Sequence, residues 1–300
     1  ESEHLSDEMP SDVDTVIHAA ASVKHYGSYE YFYRVNVQGT RHVSAYAKRV
    51  NARLIHISTL SVSGNSMADD FSVYRSKEEK KFYESSFFIG QPLDNVYIHS
   101  KFEAEMAVYD AMLDGLDAKV VRVGNLTNRS TDYKFQPNYK DNAFLTRVKA
   151  CLEFGLFPDY LVPLYAEFST ADKTAEGIVK IAQYAGEQCV FHLNSNRPLY
   201  FEDMFKILEK LGIKMKITDS ATFYGELRRT LKTSATEYIF EAFQNDMDED
   251  GQLIYDSNIR IMNDFTVWFM KKTGFEWNET DYEYIRGYVE YFRRLGYLEV

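Results

Sequence analysis

The chain has 300 residues, of which 45% are hydrophobic and 26% are charged, and its formal net charge is -11. This length and hydrophobic fraction suffice for one large globular domain, or a domain with an added lobe, and exclude a disordered chain. The acidic charge argues against nucleic acid or an anionic membrane as partner, because both need a dominant basic surface.

Strand and helix patterns alternate along the first two thirds of the chain. Residues 14–21 and 52–58 have the apolar runs of buried strands, and residues 28–50 between them have a helical pattern. A polar connection at 64–82 leads to a helix that ends near residues 114–115. The pattern continues with a strand at 118–123, a helix at 175–182 and a strand at 188–193. This alternation predicts a doubly wound α/β fold with a parallel sheet.

After Pro198 the pattern becomes mainly helical, with segments at 201–212 and 281–296 that each end at a glycine. We therefore expect a sheet-containing domain over about residues 1–200 and a helical lobe over residues 201–300. The acidic stretch 245–251 lacks the alternating ligands and final glutamate of an EF-hand, so it is predicted to be a solvated turn.

The cysteines and the first residues indicate a reducing compartment. Cys151 and Cys189 have neither metal-ligand nor C-x-x-C spacing, so neither a disulfide framework nor a zinc site is predicted. The first ten residues lack the basic and apolar regions of a signal peptide, and no run approaches the ~18 apolar residues of a membrane span. We expect a cytoplasmic protein without a membrane partner.

Tyr97 and Lys101 are four residues apart on a predicted helix, so their side chains share a face. A lysine ammonium in this place could stabilise a phenolate and lower the pKa of the tyrosine, and the phenol could protonate a developing alkoxide. Both residue types are common in this chain, so the spacing alone is weak evidence.

Thr59 follows the strand at 52–58, at the carboxyl edge where open α/β sheets bind ligands. Its hydroxyl could donate a hydrogen bond to a substrate carbonyl, or it could simply cap the turn after the strand. The motifs A-A-A (19–21), S-T (58–59), Y-x-x-x-K (97–101) and R-V-G-N-L (122–126) follow one another in a workable order. Their combination favours a functional site over coincidence.

Four segments resemble the extended short-chain dehydrogenase/reductases: V-I-H-A-A-A (16–21), N-V-Q-G-T (36–40), I-S-T-L-S-V-S-G (57–64) and Y-I-H-S-K (97–101). More narrowly, residues 87–105 together with R-V-G-N-L-T-N-R (122–129) resemble the terminal thioester reductase (R) domain of nonribosomal peptide synthetases. The resemblance covers nearly the whole chain and is weakest after about residue 200.

The resemblance implies a partial NADP-binding, Rossmann-like domain over about residues 1–200 and a substrate- and carrier-facing lobe over 201–300. It implies that Thr59, Tyr97 and Lys101 form the catalytic set, with Tyr97 and Lys101 also at the cofactor, where Lys101 holds the nicotinamide ribose. The other cofactor contacts that it implies are Ala20 and Ala21 along the cofactor and Gly124, Asn125 and Leu126 beside the nicotinamide.

Three further residues in these motifs are expected to be structural. Asn36 is expected to tie its helix to a neighbouring strand, and His18 and His56 are expected to be packed side chains rather than acids or metal ligands.

The chain departs from the family in one respect, because it contains no G-x-G motif. In the family, a glycine-rich turn after the first strand cradles the cofactor pyrophosphate. Residues 14–21 match the fourth strand of the family pattern. We therefore expect the opening strands and the phosphate turn to lie outside residues 1–300, and we expect these residues by themselves not to bind NADPH.

The predicted function is NADPH-dependent release of a peptidyl or aminoacyl thioester from a phosphopantetheinylated carrier domain of the same synthetase. The product would be an aldehyde, with further reduction to an alcohol left open. One alternative is a fatty-acyl-CoA, carboxylic acid or nucleotide-sugar enzyme of the same superfamily. Another is a cofactor-sensing or scaffold protein without catalytic activity.

Overall fold

The computed structural model describes residues 9–23, 27–64, 80–159, 162, 165–231, 237–244 and 259–300. The strands are β1 (Thr15–His18), β2 (Arg53–Thr59), β3 (Lys80–Phe82), β4 (Ala118–Val123), β5 (Leu126–Thr127), β6 (Leu156–Pro158), β7 (Tyr165–Ala166), β8 (Ser169–Thr170), β9 (Val190–Leu193), β10 (Leu199–Tyr200), β11 (Lys216–Thr218) and β12 (Ile259–Ile261). The α-helices are α1 (Tyr29–Phe32), α2 (Gly39–Arg49), α3 (Val96–Leu113), α4 (Ala143–Phe154), α5 (Ala171–Ala182), α6 (Phe201–Lys210), α7 (Ser220–Thr230), α8 (Glu237–Gln244), α9 (Asp264–Lys272) and α10 (Tyr282–Arg294).

The largest sheet contains four parallel strands in the order β1-β2-β4-β9. Four two-stranded pairs accompany it: β3 with β12, β5 with β8, β6 with β11, and β7 with β10. Helices connect the parallel strands, as the right-handed crossovers of α/β folds require. The predicted α/β fold with a doubly wound parallel sheet is confirmed.

Both faces of the four-stranded sheet are covered by helices. Ile55 and Val121 pack with Ile181 of α5 and Phe269 of α9 on one face. Their chain neighbours Leu54 and Val120 pack with residues of α2 and α3 on the other face, because successive side chains of a strand point to opposite sides. Burial on both faces explains why these strands read as continuous apolar runs.

Some predicted elements differ in extent from those observed. The strand predicted at 14–21 ends at His18, and residues 19–21 follow it without regular structure. The helix predicted at 28–50 is interrupted by a π-helical segment, Tyr33–Gln38. The connection predicted at 64–82 ends in the short strand β3, and its residues 65–79 lie outside the described part, as does the acidic stretch 245–251.

The helices after residue 200 pack in two different places. Tyr284 and Phe292 of α10 form a cluster with Leu208 of α6 and Leu145 of α4, whereas α9 packs on the sheet. The lobe cluster thus recruits α4 from before residue 200, and the domain division near that residue stays a prediction. None of the helices in the described ranges combines the length and apolar character needed to cross a bilayer. Both cysteines are free.

Candidate active site

The sequence-predicted site residues meet at the carboxyl edge of the sheet. Thr59, the last residue of β2, is in register with Val123, the last residue of β4. The segments at this edge are Ala20 and Ala21 after β1, Thr59 itself, and Gly124, Asn125 and Leu126 after β4. Ala20, Asn125 and Leu126 are exposed, so a ligand can reach the edge. Parallel α/β sheets bind ligands at this edge.

Helix α3 brings Tyr97 and Lys101 to the same edge. The helix begins after Asn95, whose side-chain Oδ1 accepts hydrogen bonds from the backbone N–H groups of Tyr97 (3.0 Å) and Ile98 (3.2 Å). This N-cap satisfies two of the otherwise unpaired N–H groups of the first turn. It therefore fixes the start of α3, and with it the place of Tyr97.

Thr59 caps the turn after β2, which is one of the two roles that the sequence left open for it. Its Oγ1 accepts a hydrogen bond from Ser61 N at 3.1 Å, so it caps the short 3-10 helix Leu60–Ser63. Its side chain also hydrogen-bonds to the Tyr97 hydroxyl. Thr59 is 9% exposed. The structure therefore brings together the two hydroxyls that the sequence analysis assigned to the substrate.

The expected lowering of the Tyr97 pKa is wrong for this geometry. Burial raises the pKa of Tyr97, and the hydrogen bond from Thr59 offsets only part of that rise. Lys101 is instead directed to the sheet, where its Nζ donates to the Ile57 carbonyl oxygen at 2.7 Å. Tyr97 is therefore a protonated phenol at neutral pH, which is the form of a proton donor.

Lys101 is an almost fully buried ammonium, with only 4% of its surface exposed. Burial lowers its pKa to about 8, against the opposing attraction of the Glu105 carboxylate. An ammonium has three N–H donors, and among the described residues the Ile57 carbonyl accepts one of them. Lys101 thus retains the capacity to bind hydroxyl oxygens of a ligand.

His18 and His56 lie side by side under this edge, with ring centroids 5.4 Å apart. His18 Nε2 lies 3.1 Å from Thr40 Oγ1. Burial, and then the charge of Lys101, lower the pKa of His18 to about 4 and hold that of His56 well below its usual range. Both rings are therefore neutral and packed, as predicted.

Asn36 ties its π-helical segment to two other parts of the site. Its Nδ2 donates to Ser22 O at 3.1 Å and to Ser100 Oγ at 2.9 Å, and its Oδ1 accepts from Ser22 N at 2.7 Å. Ser22 follows β1 and Ser100 precedes Lys101 on α3. The predicted structural role of Asn36 agrees with these bonds.

A buried ion pair that the sequence analysis missed holds α3 against the sheet. Glu105 of α3 and Arg122 of β4 are both 0% exposed, and their Oε2 and Nη2 atoms are 2.7 Å apart. Ser58 Oγ donates to Glu105 Oε1 at 2.5 Å, and Tyr109 OH donates to Oε2 at 3.2 Å. Glu105 lies one helical turn after Lys101. The spacing of Glu105 from Lys101 was the signal available in the sequence, but Arg122, the partner of Glu105, lies on another element.

Gly124 allows the backbone after β4 to approach a second buried carboxylate. A Cβ at Gly124 would lie 2.6 Å from Glu167 Oε2 and 2.8 Å from Asn194 Cβ, so no larger residue fits. Glu167 accepts hydrogen bonds from Asn125 N (2.7 Å), Ser195 N (3.0 Å) and the Ser169 hydroxyl. Burial nevertheless raises the pKa of Glu167.

An apolar cavity of about 440 Å³ opens next to Asn125. Its wall also includes Glu167 and side chains of α4, α6 and α10. Aromatic members of the wall include Phe157, Phe201 and Phe205, whose rings pack together with centroids 4.8 to 6.3 Å apart. The cavity is thus a concave, apolar space beside the polar edge, which is the usual form of a substrate site.

The residues at the edge suit the nicotinamide end of a dinucleotide. Lys101 offers unused N–H donors, and the segments at Ala20 and Asn125 leave open space on either side. The described residues contain no glycine turn for the pyrophosphate. They also contain no group of three or more His, Cys, Asp or Glu side chains that could hold a metal ion.

Comparisons with known proteins agree with this architecture. The model of an NAD-binding family described as "Male sterility protein" matches residues 2–178. Glycine betaine reductase ATRR of Emericella nidulans is 28% identical over 209 residues, which is 68% of this chain but 15% of that protein. The chain therefore spans a small part of this curated relative.

Solved structures extend the likeness to the whole chain. A thiolation-reductase di-domain from an archaeal nonribosomal peptide synthetase has a TM-score of 0.80 and 30% identity, over 99% of this chain and 60% of that one. The reductase domain of the aureusimine biosynthetic cluster has a TM-score of 0.78 and 26% identity, over 96% and 70%. The terminal R domain of the myxalamid pathway, 19% identical with a TM-score of 0.78, shows the same fold.

These matches confirm the resemblance to terminal reductase domains. The chain belongs to the male sterility protein family, and it has the fold of a thioester reductase domain of the extended short-chain dehydrogenase/reductase type.

Proposed function

We propose that the protein reduces an acyl thioester carried on the phosphopantetheine of a carrier domain and releases the acyl group as an aldehyde. The observation that carries this proposal is the Thr59–Tyr97 hydroxyl pair at the carboxyl edge, next to an apolar cavity. The likeness to a thiolation-reductase di-domain supports a carrier domain as partner.

Thr59 and Tyr97 would stabilise the charge that develops on the thioester oxygen. Both hydroxyls can donate to that oxygen, and donors that are already oriented lower the barrier without reorganisation. Burial keeps Tyr97 protonated at neutral pH, so it can pass its proton to the oxygen. Collapse of the tetrahedral adduct then breaks the carbon–sulfur bond and releases the pantetheine thiol. NADPH, when bound, supplies the hydride.

The cofactor contacts implied by the family remain part of this proposal. Tyr97 and Lys101 would hold the nicotinamide ribose, and the backbone at Ala20 and Ala21 would lie along the cofactor. Gly124, Asn125 and Leu126 would flank the nicotinamide.

A direct test compares the same acyl group on its carrier domain and on a short thiol, with the full-length protein and NADPH. We expect a higher kcat/KM for the carrier-bound thioester, because the protein surface and the pantetheine arm add binding energy and positioning. Equal values would remove the carrier domain from the proposal.

The apolar cavity also favours a second candidate, the reduction of a fatty-acyl-CoA. Adding a long-chain acyl-CoA to the same assay separates the two functions. A kcat/KM for the acyl-CoA above that for the carrier-bound aminoacyl thioester would select this second candidate.

A further inference from the structure

The cavity reaches the carboxyl edge of the sheet at Asn125. Asn125, which follows β4, belongs to its wall, and so does Glu167, which accepts the Asn125 N–H. Thr59 is in register with Val123, two residues before Asn125. A group attached to the thioester carbonyl carbon can therefore enter the cavity from the carboxyl edge.

The wall contains two charged side chains of opposite sign, Glu167 and Arg147. Glu167 accepts three hydrogen bonds from neighbouring N–H and O–H groups. The guanidinium of Arg147 lies over the Phe243 ring, 5.6 Å from its centroid. These two charges have opposite signs, so they attract and repel ligand charges of either sign, but any charged group would lose its hydration in a wall that is mostly apolar. The cost of removing a charge from water therefore disfavours both ammonium and carboxylate ligands in this cavity.

One polar atom in the wall indicates that the cavity takes a ligand. Tyr288 of α10 is 3% exposed, and its hydroxyl has no hydrogen-bond partner among the described residues. Burial holds its pKa well above the usual range, so the group is a neutral donor. Buried hydroxyls are normally paired, so an acceptor atom of a ligand would satisfy this donor.

On the basis of the proposed function, we propose that this cavity binds the side chain of the acyl residue that carries the thioester and selects a large, uncharged, apolar side chain. The apolar walls supply the affinity, and the cost of removing a charged group from water supplies the discrimination. Burying a leucine- or phenylalanine-sized side chain in place of a methyl group corresponds to about 10- to 100-fold in kcat/KM.

The test uses the full-length protein with phenylalanyl, alanyl, lysyl and glutamyl thioesters on one carrier domain. We expect kcat/KM for the phenylalanyl thioester to exceed each of the other three by about tenfold or more. A preference for the alanyl thioester or for either charged thioester would overturn the proposal.

Filling the cavity should remove the preference for the phenylalanyl over the alanyl thioester. Met204→Trp adds a large side chain to the wall from α6. It should lower kcat/KM for the phenylalanyl thioester about tenfold or more and leave that for the alanyl thioester within about threefold. Lys210→Trp, on the exposed face of the same helix, is the matched control and should change neither. An equal loss for both substrates in Met204→Trp would contradict side-chain binding in this cavity.

A binding measurement decides the proposal even if no thioester is reduced. Phenylalanyl and alanyl pantetheine amides, which cannot release a thiol, are titrated into the protein by calorimetry. Tighter binding of the phenylalanyl amide, lost in Met204→Trp and kept in Lys210→Trp, supports the cavity assignment. Equal affinity for the two amides overturns it, whereas failure of reduction alone overturns only the proposed function.

Discussion

Replacing Glu105 with glutamine should strongly destabilise the protein, although the side chain keeps its size. Glu105 and Arg122 are both 0% exposed, so the substitution leaves the Arg122 guanidinium charge buried without its counter-charge. Loss of one partner of a buried ion pair costs about 3–5 kcal/mol. The Ser58 and Tyr109 hydroxyls also lose a charged acceptor.

The Arg53–Asp117 pair provides a matched control, because its closest atoms are also 2.7 Å apart but its side chains are 22% and 54% exposed. Asp117→Asn should cost less than about 1 kcal/mol, since water screens exposed pairs. Urea unfolding followed by tryptophan fluorescence measures both variants. A loss below about 1 kcal/mol in Glu105→Gln, or equal losses in the two variants, would refute the assignment of Glu105–Arg122 as the pair that holds α3 to the sheet.

Four further outcomes are expected. Tyr97→Phe should lower kcat about 10²- to 10⁴-fold with cofactor affinity nearly unchanged, because only the phenolic proton donor is removed; activity within twofold of the parent would exclude Tyr97 as the acid. In the folded state the pKa of Lys101 is lowered to about 8, so the buried ammonium destabilises the protein fully below pH 8. This cost is relieved as the pH rises towards the pKa of lysine in the unfolded chain. Relative to Lys101→Met, the parent should gain about 2 kcal/mol of unfolding free energy between pH 8 and pH 10. The pKa of buried His56 is also lowered, so the neutral ring stabilises the protein above pH 6.5 and this stability is lost in acid. Between pH 7 and pH 5 the parent should lose about 2 kcal/mol more unfolding free energy than His56→Phe. Parallel curves of unfolding free energy against pH for the two proteins would contradict this. Tyr288→Phe should raise the KM of an N-acylated phenylalanyl thioester severalfold, because the amide oxygen of that substrate can accept the hydrogen bond of the buried phenol; an unchanged KM would exclude that bond.

The sheet and the helices that cover it were predictable because their signals are local. Strands β2 and β4 are buried on both faces, so their apolar runs are continuous in the sequence. Asn95 before Val96 is a recognisable N-cap, so the start of α3 could be read from the chain. The π-helical segment Tyr33–Gln38 was not predicted, because a single inserted residue in a helix leaves no distinct periodicity.

The electrostatics of the site depend on long-range contacts that spacing does not reveal. The sequence placed Lys101 one turn from Tyr97, but the ammonium bonds to the Ile57 carbonyl and burial decides the pKa of the phenol. Glu105 and Arg122 both lie in segments that resemble the family, yet their pairing joins a helix to a strand 17 residues further along the chain.

The cavity was invisible to sequence reasoning for a similar reason. Leu152 of α4, Phe205 of α6 and Val289 of α10 all line it, and each of them reads in the sequence as an ordinary apolar helix residue. Only their packing around a space, rather than against one another, distinguishes a binding wall from a closed core. The assignment of the helical lobe to substrate and carrier therefore came from the family resemblance alone, and it did not predict this cavity.

Transfer of label from cofactor to product tests the central claim most directly. The full-length protein is given a carrier-bound aminoacyl thioester and NADPH with deuterium at both C4 positions, and the released molecule is identified by mass. Reductive release predicts an aldehyde with one deuterium, or an alcohol with two if the aldehyde is reduced again. Release of an unlabelled carboxylic acid would contradict the account. It would also be contradicted if the thioester remained on its carrier and Tyr97→Phe behaved like the parent.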